Sequence, residues 1–255
     1  MTYPVKHFSA SSASTYMSCP AKWKYRYIDQ LPEAPSEALE RGTMVHKAME
    51  RYWTGGYGKP ERGIHRYISA YRKMTGAVEP EQVKAVELEL RAELPGVDVP
   101  LLGFIDCYTV DGLVVDLKTA AKPWWDGRAV KELQPALYAY LARANGLQVR
   151  GFEFHVLVNE AGTDSVSSWR LPVGLDEDFI EEHLMRVVQA WQGIVAGDFP
   201  AKRSPLCHYC DFTESCHMDT GIAPVRGNRQ TIAEPEGPGA EGQHQAKERT
   251  QWHLR

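Results

Sequence analysis

The sequence predicts an α/β fold, a mixed sheet flanked by helices. Three observations carry this. Apolar residues repeat at the helical spacing in some segments and alternate at the strand spacing in others. The segments run in the order helices, hairpin, helix, strand, strand, helix. The composition, 43% hydrophobic and 24% charged over 255 residues, is that of an ordinary globular chain with enough apolar surface for a real core.

Each element has its own signal. Gly42 to Trp53 sets Val45, Met49 and Tyr52 on one helical face. Ile64, Tyr67, Ile68, Tyr71 and Met74 follow the same rule, with arginine and lysine opposite. Two strand-like runs come next, LLGFIDCYTV (101–110) and LVVDLKT (113–119), parted by Asp111-Gly112. A helix is expected from near Glu132, with Pro135 in its first turn, to Asn145-Gly146. GFEFHVLV (151–158) alternates as a strand, and Val166 to Leu171 is its expected partner. Asp176 to Val195 is a long amphipathic helix whose first acidic residues suit the positive end of the helix dipole.

Residues 1–221 show no composition break and no repeat, so they are expected to form one domain. Between Arg226 and Thr250 the only aliphatic residue larger than alanine is Ile232. Such a stretch cannot bury enough surface to offset its ordering entropy, so 222–255 is expected to be a disordered tail. No run of apolar residues is long enough to span a membrane, and the first twenty residues lack the apolar core of a signal peptide. A cytoplasmic chain is expected. There, five cysteines argue for metal or cluster ligation over disulfides. The net charge of −4 does not advertise nucleic-acid binding, although acidic metal ligands and an acidic tail can mask a basic face.

The hairpin carries the chemistry. Asp116 and Lys118 share a strand face. Whether Asp106 joins them depends on the turn. A two-residue Asp111-Gly112 loop sets 106 opposite 117, on the wrong face. A three-residue loop, Val110-Asp111-Gly112 with glycine in the left-handed position, sets 106 opposite 116. Opposed buried carboxylates repel, and a divalent cation between them resolves the repulsion, which favours the three-residue loop. Hard oxygen ligands select Mg²⁺ or Mn²⁺, and two carboxylates beside a lysine suit phosphodiester hydrolysis. The bland alternative is a solvated strand face with an exposed Asp–Lys pair. It is weakened by the apolar neighbours in FIDCY and VVDLKT, among which an unpaired carboxylate is costly.

G-F-I-D (103–106) followed by V-D-L-K-T (115–119) resembles the core of the PD-(D/E)xK nuclease superfamily, specifically its RecB-like branch. G-T-M-V-H (42–46) is similar to that branch's G-x-x-x-H and Q-P-A-L-Y (134–138) to its Q-x-x-x-Y. The resemblance runs from about Phe8 to Cys216 with all motifs in order. It implies a restriction-endonuclease-like central mixed sheet flanked by helices. It also implies His46, Asp106, Asp116 and the Leu117 carbonyl as metal ligands, and Lys118 as the catalytic lysine. Gln134 and Tyr138 would line the site near the scissile phosphate, and Glu87 would be an accessory glutamate, with Glu89 competing for that role.

Cys207, Cys210 and Cys216 follow one another closely, and Cys19 precedes Pro20 near the other end. Spacing leaves zinc and iron–sulfur both open, with His208 and His217 available to a zinc site. The resemblance decides for a [4Fe–4S] cluster joining the chain ends. One N-terminal and three C-terminal cysteines are the arrangement of AddB-type nuclease domains and CRISPR-associated iron–sulfur exonucleases. Cys107, facing away from Asp106, is expected to be a buried apolar residue.

Two segments are candidates for gripping DNA. Lys22, Lys24 and Arg26 alternate with Trp23, Tyr25 and Tyr27, a pattern that either stacks bases or packs aromatics inward with cations outside. Trp124 and Trp125, beside Lys122 and Arg128, are the better stacking candidates.

The functional expectation is a Mg²⁺- or Mn²⁺-dependent DNA exonuclease with an iron–sulfur cluster, acting on single-stranded ends or duplex ends. Recombination, repair, and phage or CRISPR-related DNA processing are the settings the resemblance implies, with a recombination or CRISPR-adaptation protein as a partner. The competing expectation is a catalytically inactive DNA-binding or scaffold protein of the same fold, with a structural cluster or zinc.

Overall fold

The computed structural model describes residues 3–34, 36–56, 63–125, 127–160 and 163–221; the expected tail at 222–255 lies outside them. Four helices come first: α1 (Ala10–Ser18), α2 (Pro20–Tyr27), α3 (Glu37–Trp53) and α4 (His65–Arg72). A three-strand meander follows, β1 (Val83–Leu94), β2 (Val97–Thr109) and β3 (Leu113–Ala120). Helix α5 (Gln134–Ala144) then crosses over to β4 (Gly151–Asn159), β5 (Val166–Val173) pairs with it, and α6 (Glu177–Val195) and α7 (Thr213–Thr220) complete the chain.

The five strands lie in sequence order, and only β3 and β4 run parallel. The expected mixed sheet flanked by helices is therefore present. Sequence reading missed β1. Its residues VELELRAEL alternate, and Pro95-Gly96, with Gly96 at φ +86°, makes the turn into β2. One face of β1 is rich in glutamate and arginine, which masks the strand period.

Alternation along β4 divides the core into two layers. Phe152, Phe154, Val156 and Val158 pack with residues of α1, α5 and α6, including Leu137 and Trp191. Leu157 faces the other way, with Val115 and Leu117, towards Val45 and Met49 of α3 and Ile68 of α4. Cys107 is fully buried in that second layer, and burial pushes its thiol up to about 12, as expected of an apolar packing residue.

The second layer also holds a buried polar chain. Tyr71 accepts hydrogen bonds from Trp53 Nε1 (3.3 Å) and the Val78 amide (3.1 Å). Its own proton is thus directed at His155 Nδ1, 3.1 Å away. That leaves Nε2–H to donate to Glu153 Oε2 (3.1 Å), which also pairs with Arg170 at 2.8 Å. Burial holds His155 below its ordinary value of 6.5, against the pull of Glu153. Above pH 6.5 the imidazole is neutral folded and unfolded, and the network stabilises in full. As pH falls from there, the unfolded chain takes up the proton first, so stability declines until the folded imidazole titrates. Melting temperature measured against pH is expected to decline below pH 6.5 in the wild type, and less steeply in His155→Gln.

Candidate active site

The β2–β3 ladder pairs Tyr108 with Val114 and Cys107 with Val115, which is the register of the three-residue turn, with Gly112 left-handed at φ +85°. The next level brings Asp106 and Asp116 to opposite strands. There the Asp106 carboxylate, not a backbone carbonyl, receives the Leu117 N–H, at 2.6 Å. Leu117, whose carbonyl the resemblance makes a ligand, enters the site through that amide.

Glu87 arrives from β1. Val86 pairs with Cys107 and Leu88 with Ile105, so Glu87 stands opposite Asp106. The strands change faces at this level: Val86 and Cys107 join the α3–α4 layer, whereas Leu88 and Ile105 join the other. The backbone of Glu87 is left-handed, φ +47°, a strained geometry for a residue with a side chain and one that clusters at functional sites. Glu89 is two residues past the switch and pairs with Arg91 at 2.8 Å. It stands apart from the group.

Helix α3 supplies His46, beside the buried Val45, with Gly42 one turn earlier. A Cβ on Gly42 would touch Thr119 Oγ1 at 3.4 Å, so the glycine lets α3 lie close to the end of β3. His46 Nδ1 lies 3.5 Å from Asp106 Oδ1. Ligand atoms of His46, Glu87 and Asp106 all fall within 4.8 Å of one another. Burial depresses His46, but Asp106 outweighs it and holds the imidazole above its ordinary range. Burial first, and then Asp106, raises Glu87. The Asp106 carboxylate thus contributes to both shifts, raising each group.

Helix α5 approaches from the other face. Gln134 Nε2 donates to Asp116 Oδ1 at 3.0 Å. Tyr138 is buried below it and contacts Gly103, where a Cβ would clash with Tyr138 Cε1 at 2.9 Å and Leu141 Cδ1 at 2.7 Å. Gly103 therefore seats α5 on β2. Lys118 Nζ stands 2.6 Å from Asp116 Oδ2 as an ion pair, yet that oxygen is buried and receives no well-directed hydrogen bond. Burial pushes the Asp116 carboxyl up, Lys118 pulls it back, and Asp106 pushes it up again. Three carboxylates and one imidazole fit a hard divalent cation.

The cysteines converge separately. Cys210 and Cys216 each sense the charge of Cys19 and of Cys207, and Cys19, Cys210 and Cys216 border a small cluster built on Ala21, Tyr25 and Phe212. Lys202 N–H donates to Cys19 Sγ at 3.5 Å and Ser204 N–H to Cys207 Sγ at 3.4 Å. Among the described residues, no three of these sulfurs lie within 4.8 Å of one another.

The candidate DNA-gripping residues divide. In α2, Trp23 and Tyr25 are buried, so they offer bases no face, and this corrects the stacking option. Lys22 is half-buried, Lys24 pairs with Asp29 at 2.7 Å, and Arg26 pairs with Glu33. Trp124 is half-buried against Phe154, whereas Trp125 is exposed. Sequence reading also passed over Trp169, exposed on β5.

No curated protein matches the chain. Among solved structures it is similar in fold to an inferred exonuclease from Eubacterium rectale, with TM-score 0.57 and 15% identity over 80% of this chain and 87% of that one. It is also similar in fold to the protein SSO0001, with TM-score 0.51 and 14% identity over 89% and 91%. The sequence profile of the PD-(D/E)XK nuclease superfamily matches residues 7–75 and 61–217, so nearly the whole described chain is covered. The chain belongs to the PD-(D/E)XK nuclease superfamily.

Proposed function

We propose that the chain is a Mg²⁺- or Mn²⁺-dependent DNA exonuclease acting on strand ends in recombination, repair, or phage- or CRISPR-related DNA processing. The observation that carries the reading is the convergence of His46, Glu87 and Asp106 beside the Asp116–Lys118 pair. An inactive scaffold has no need to hold three carboxylates at this density, because their mutual repulsion costs stability. The Eubacterium rectale neighbour is itself named an exonuclease by inference.

His46, Glu87, Asp106 and Asp116 would hold the ion, which when bound activates water and neutralises charge developing on the phosphate. Gln134 fixes the Asp116 carboxylate through its amide. Lys118 places an ammonium where that charge builds up. Acid closes the site, because a protonated His46 has no lone pair on Nδ1 for a metal. The reading is tested by digesting 5′- and 3′-labelled single and double strands with Mg²⁺ or Mn²⁺. Metal-dependent, end-dependent release of mononucleotides or short fragments is expected. Undiminished cleavage in EDTA would overturn it.

Cys19, Cys207, Cys210 and Cys216 are proposed to ligate a [4Fe–4S] cluster. One N-terminal and three C-terminal cysteines, three of them bordering one small cluster around Ala21, Tyr25 and Phe212, support this reading. Ligation closes almost the whole domain into one loop, which disfavours the unfolded chain. Cys19→Ala is expected to lower iron and acid-labile sulfide per chain and the melting temperature together, while Cys107→Ala keeps its colour. Full iron content in Cys19→Ala would mean a different set of ligands.

A further inference from the structure

After β3 the chain runs across the sheet and bears two adjacent tryptophans with different surroundings. The Trp124 ring packs 5.0 Å from Phe154, and the Arg128 guanidinium sits 4.1 Å over it. Phe154 in turn lies 5.6 Å from Lys118 Nζ. Trp124 is thus a wall behind the lysine and has little open face. Trp125 is 54% exposed, and among the described residues Lys131 Nζ lies over its ring at 4.6 Å.

The short turn at Ala129–Lys131 packs against β5, the edge strand. Phe154 pairs with Leu171 and Val156 with Trp169, so Trp169 stands on the same sheet face as Phe154. It is a diagonal neighbour, roughly 7–8 Å away along the backbone. Trp169 is 49% exposed, and Val130 in the intervening turn is 46% exposed. One continuous surface therefore carries two open indoles and begins a single ring away from Lys118. Large aromatics left open together mark a surface that something covers.

Charge identifies the occupant. Lys131 lies over Trp125, Arg128 covers Trp124 while pairing with Glu132, and Lys122 is exposed just before them. Indoles for base faces interleaved with cations for phosphates are how unpaired strands are held. A base stacked on Trp125 is a stronger contact than the exposed ammonium it displaces, which frees Lys131 for a phosphate. Duplex bases are stacked on each other and offer no such face.

We propose that Trp125 and Trp169, with Lys131, form a stacking platform that holds unpaired bases of a nucleic-acid strand whose phosphodiester reaches Lys118. The inference rests on the nuclease reading for the strand's path, but its test does not. Affinity of the full chain for fluorescein-labelled oligo(dT) is measured by anisotropy in EDTA, where the strand stays intact. Trp125→Ala and Trp169→Ala are each expected to weaken binding by about 5- to 150-fold, the range for loss of one stacked base. Trp→Phe at either position recovers part of the loss, and affinity for a blunt duplex moves less. Lys131→Ala is expected to reduce the salt slope by about one.

Melting curves establish that each variant is folded. Unchanged oligo(dT) affinity in the folded alanine variants would overturn the platform, as would equal losses for strand and duplex. So would a wild-type dimer in sedimentation that Trp169→Ala dissolves, since the surface would then belong to a second copy. The nuclease reading fails separately, by absence of cleavage with Mg²⁺ or Mn²⁺ while the tryptophan-dependent binding persists.

Discussion

Asp106→Asn is expected to abolish cleavage and Mn²⁺ binding while leaving the melting temperature close to that of the wild type. Asparagine keeps an oxygen to accept the Leu117 N–H, which reaches Asp106 Oδ2 at 2.6 Å, so the β2–β3 junction survives. What disappears is the negative charge that faces His46 at 3.5 Å and Glu87 across the strand pair. The cation loses a hard anionic ligand, and the loss of rate should exceed the roughly 10²–10³-fold seen for one preorganised electrostatic group. Without the cation, the same carboxylate is a source of repulsion, because it helps to raise Glu87. Its removal relieves that repulsion and gives up the attraction to His46, so the two effects on stability offset. Lost activity without lost stability separates a ligand from a structural residue. Single-turnover cleavage, Mn²⁺ calorimetry and a melting curve read all three. Retained Mn²⁺ affinity, or a melt collapsed well below wild type, would remove Asp106 from the ligand set.

Much of this site is legible from residue spacing, and the exceptions have physical causes. Two opposed carboxylates demand a register, and that demand chooses the three-residue turn that pairs Cys107 with Val115. Helical and strand periods likewise reveal α3, α5, β3 and β4, whose buried faces are continuous. β1 is harder, since an edge strand with one charged face resembles a solvated helix. The choice between Glu87 and Glu89 is not legible, because strict alternation gives both the same face. Only the left-handed backbone at Glu87, where the paired strands change faces, turns it towards Asp106 and leaves Glu89 with Arg91. The α2 pattern misleads for a related reason. Alternating cations and aromatics look alike whether the aromatics face a strand of DNA or the core, and here Trp23 is wholly buried, donating to Ser12 Oγ at 2.8 Å. Trp169 carries no local signal at all; its place on the sheet face of Phe154 follows from the β4–β5 register.

Lys118→Ala is expected to cut turnover by about 10²–10³-fold while Mn²⁺ affinity holds at alkaline pH, where Asp116 is ionised, since an ammonium is lost but no ligand. A second effect follows from the partner it leaves behind. Burial pushes the Asp116 carboxyl up, and Lys118, 2.6 Å away, is the largest force drawing it back. With the ammonium gone, burial and Asp106 act unopposed except by His46 and the Gln134 amide. Asp116 then holds its proton to a higher pH. Since the ionised carboxylate is the form that can hold a cation, the acid limb of the pH–rate profile moves to higher pH. Lys118→Arg restores a cation and should return that limb towards its wild-type position, even if the bulkier guanidinium recovers little turnover. A lysine acting on the phosphate alone would lower the whole profile without moving its acid limb. A lysine with only a packing role, its ammonium resting over the Phe154 ring, would lower the melting temperature and leave both the height and the position of the profile in place. The profile of the alanine variant thus separates three roles that its rate at one pH would merge.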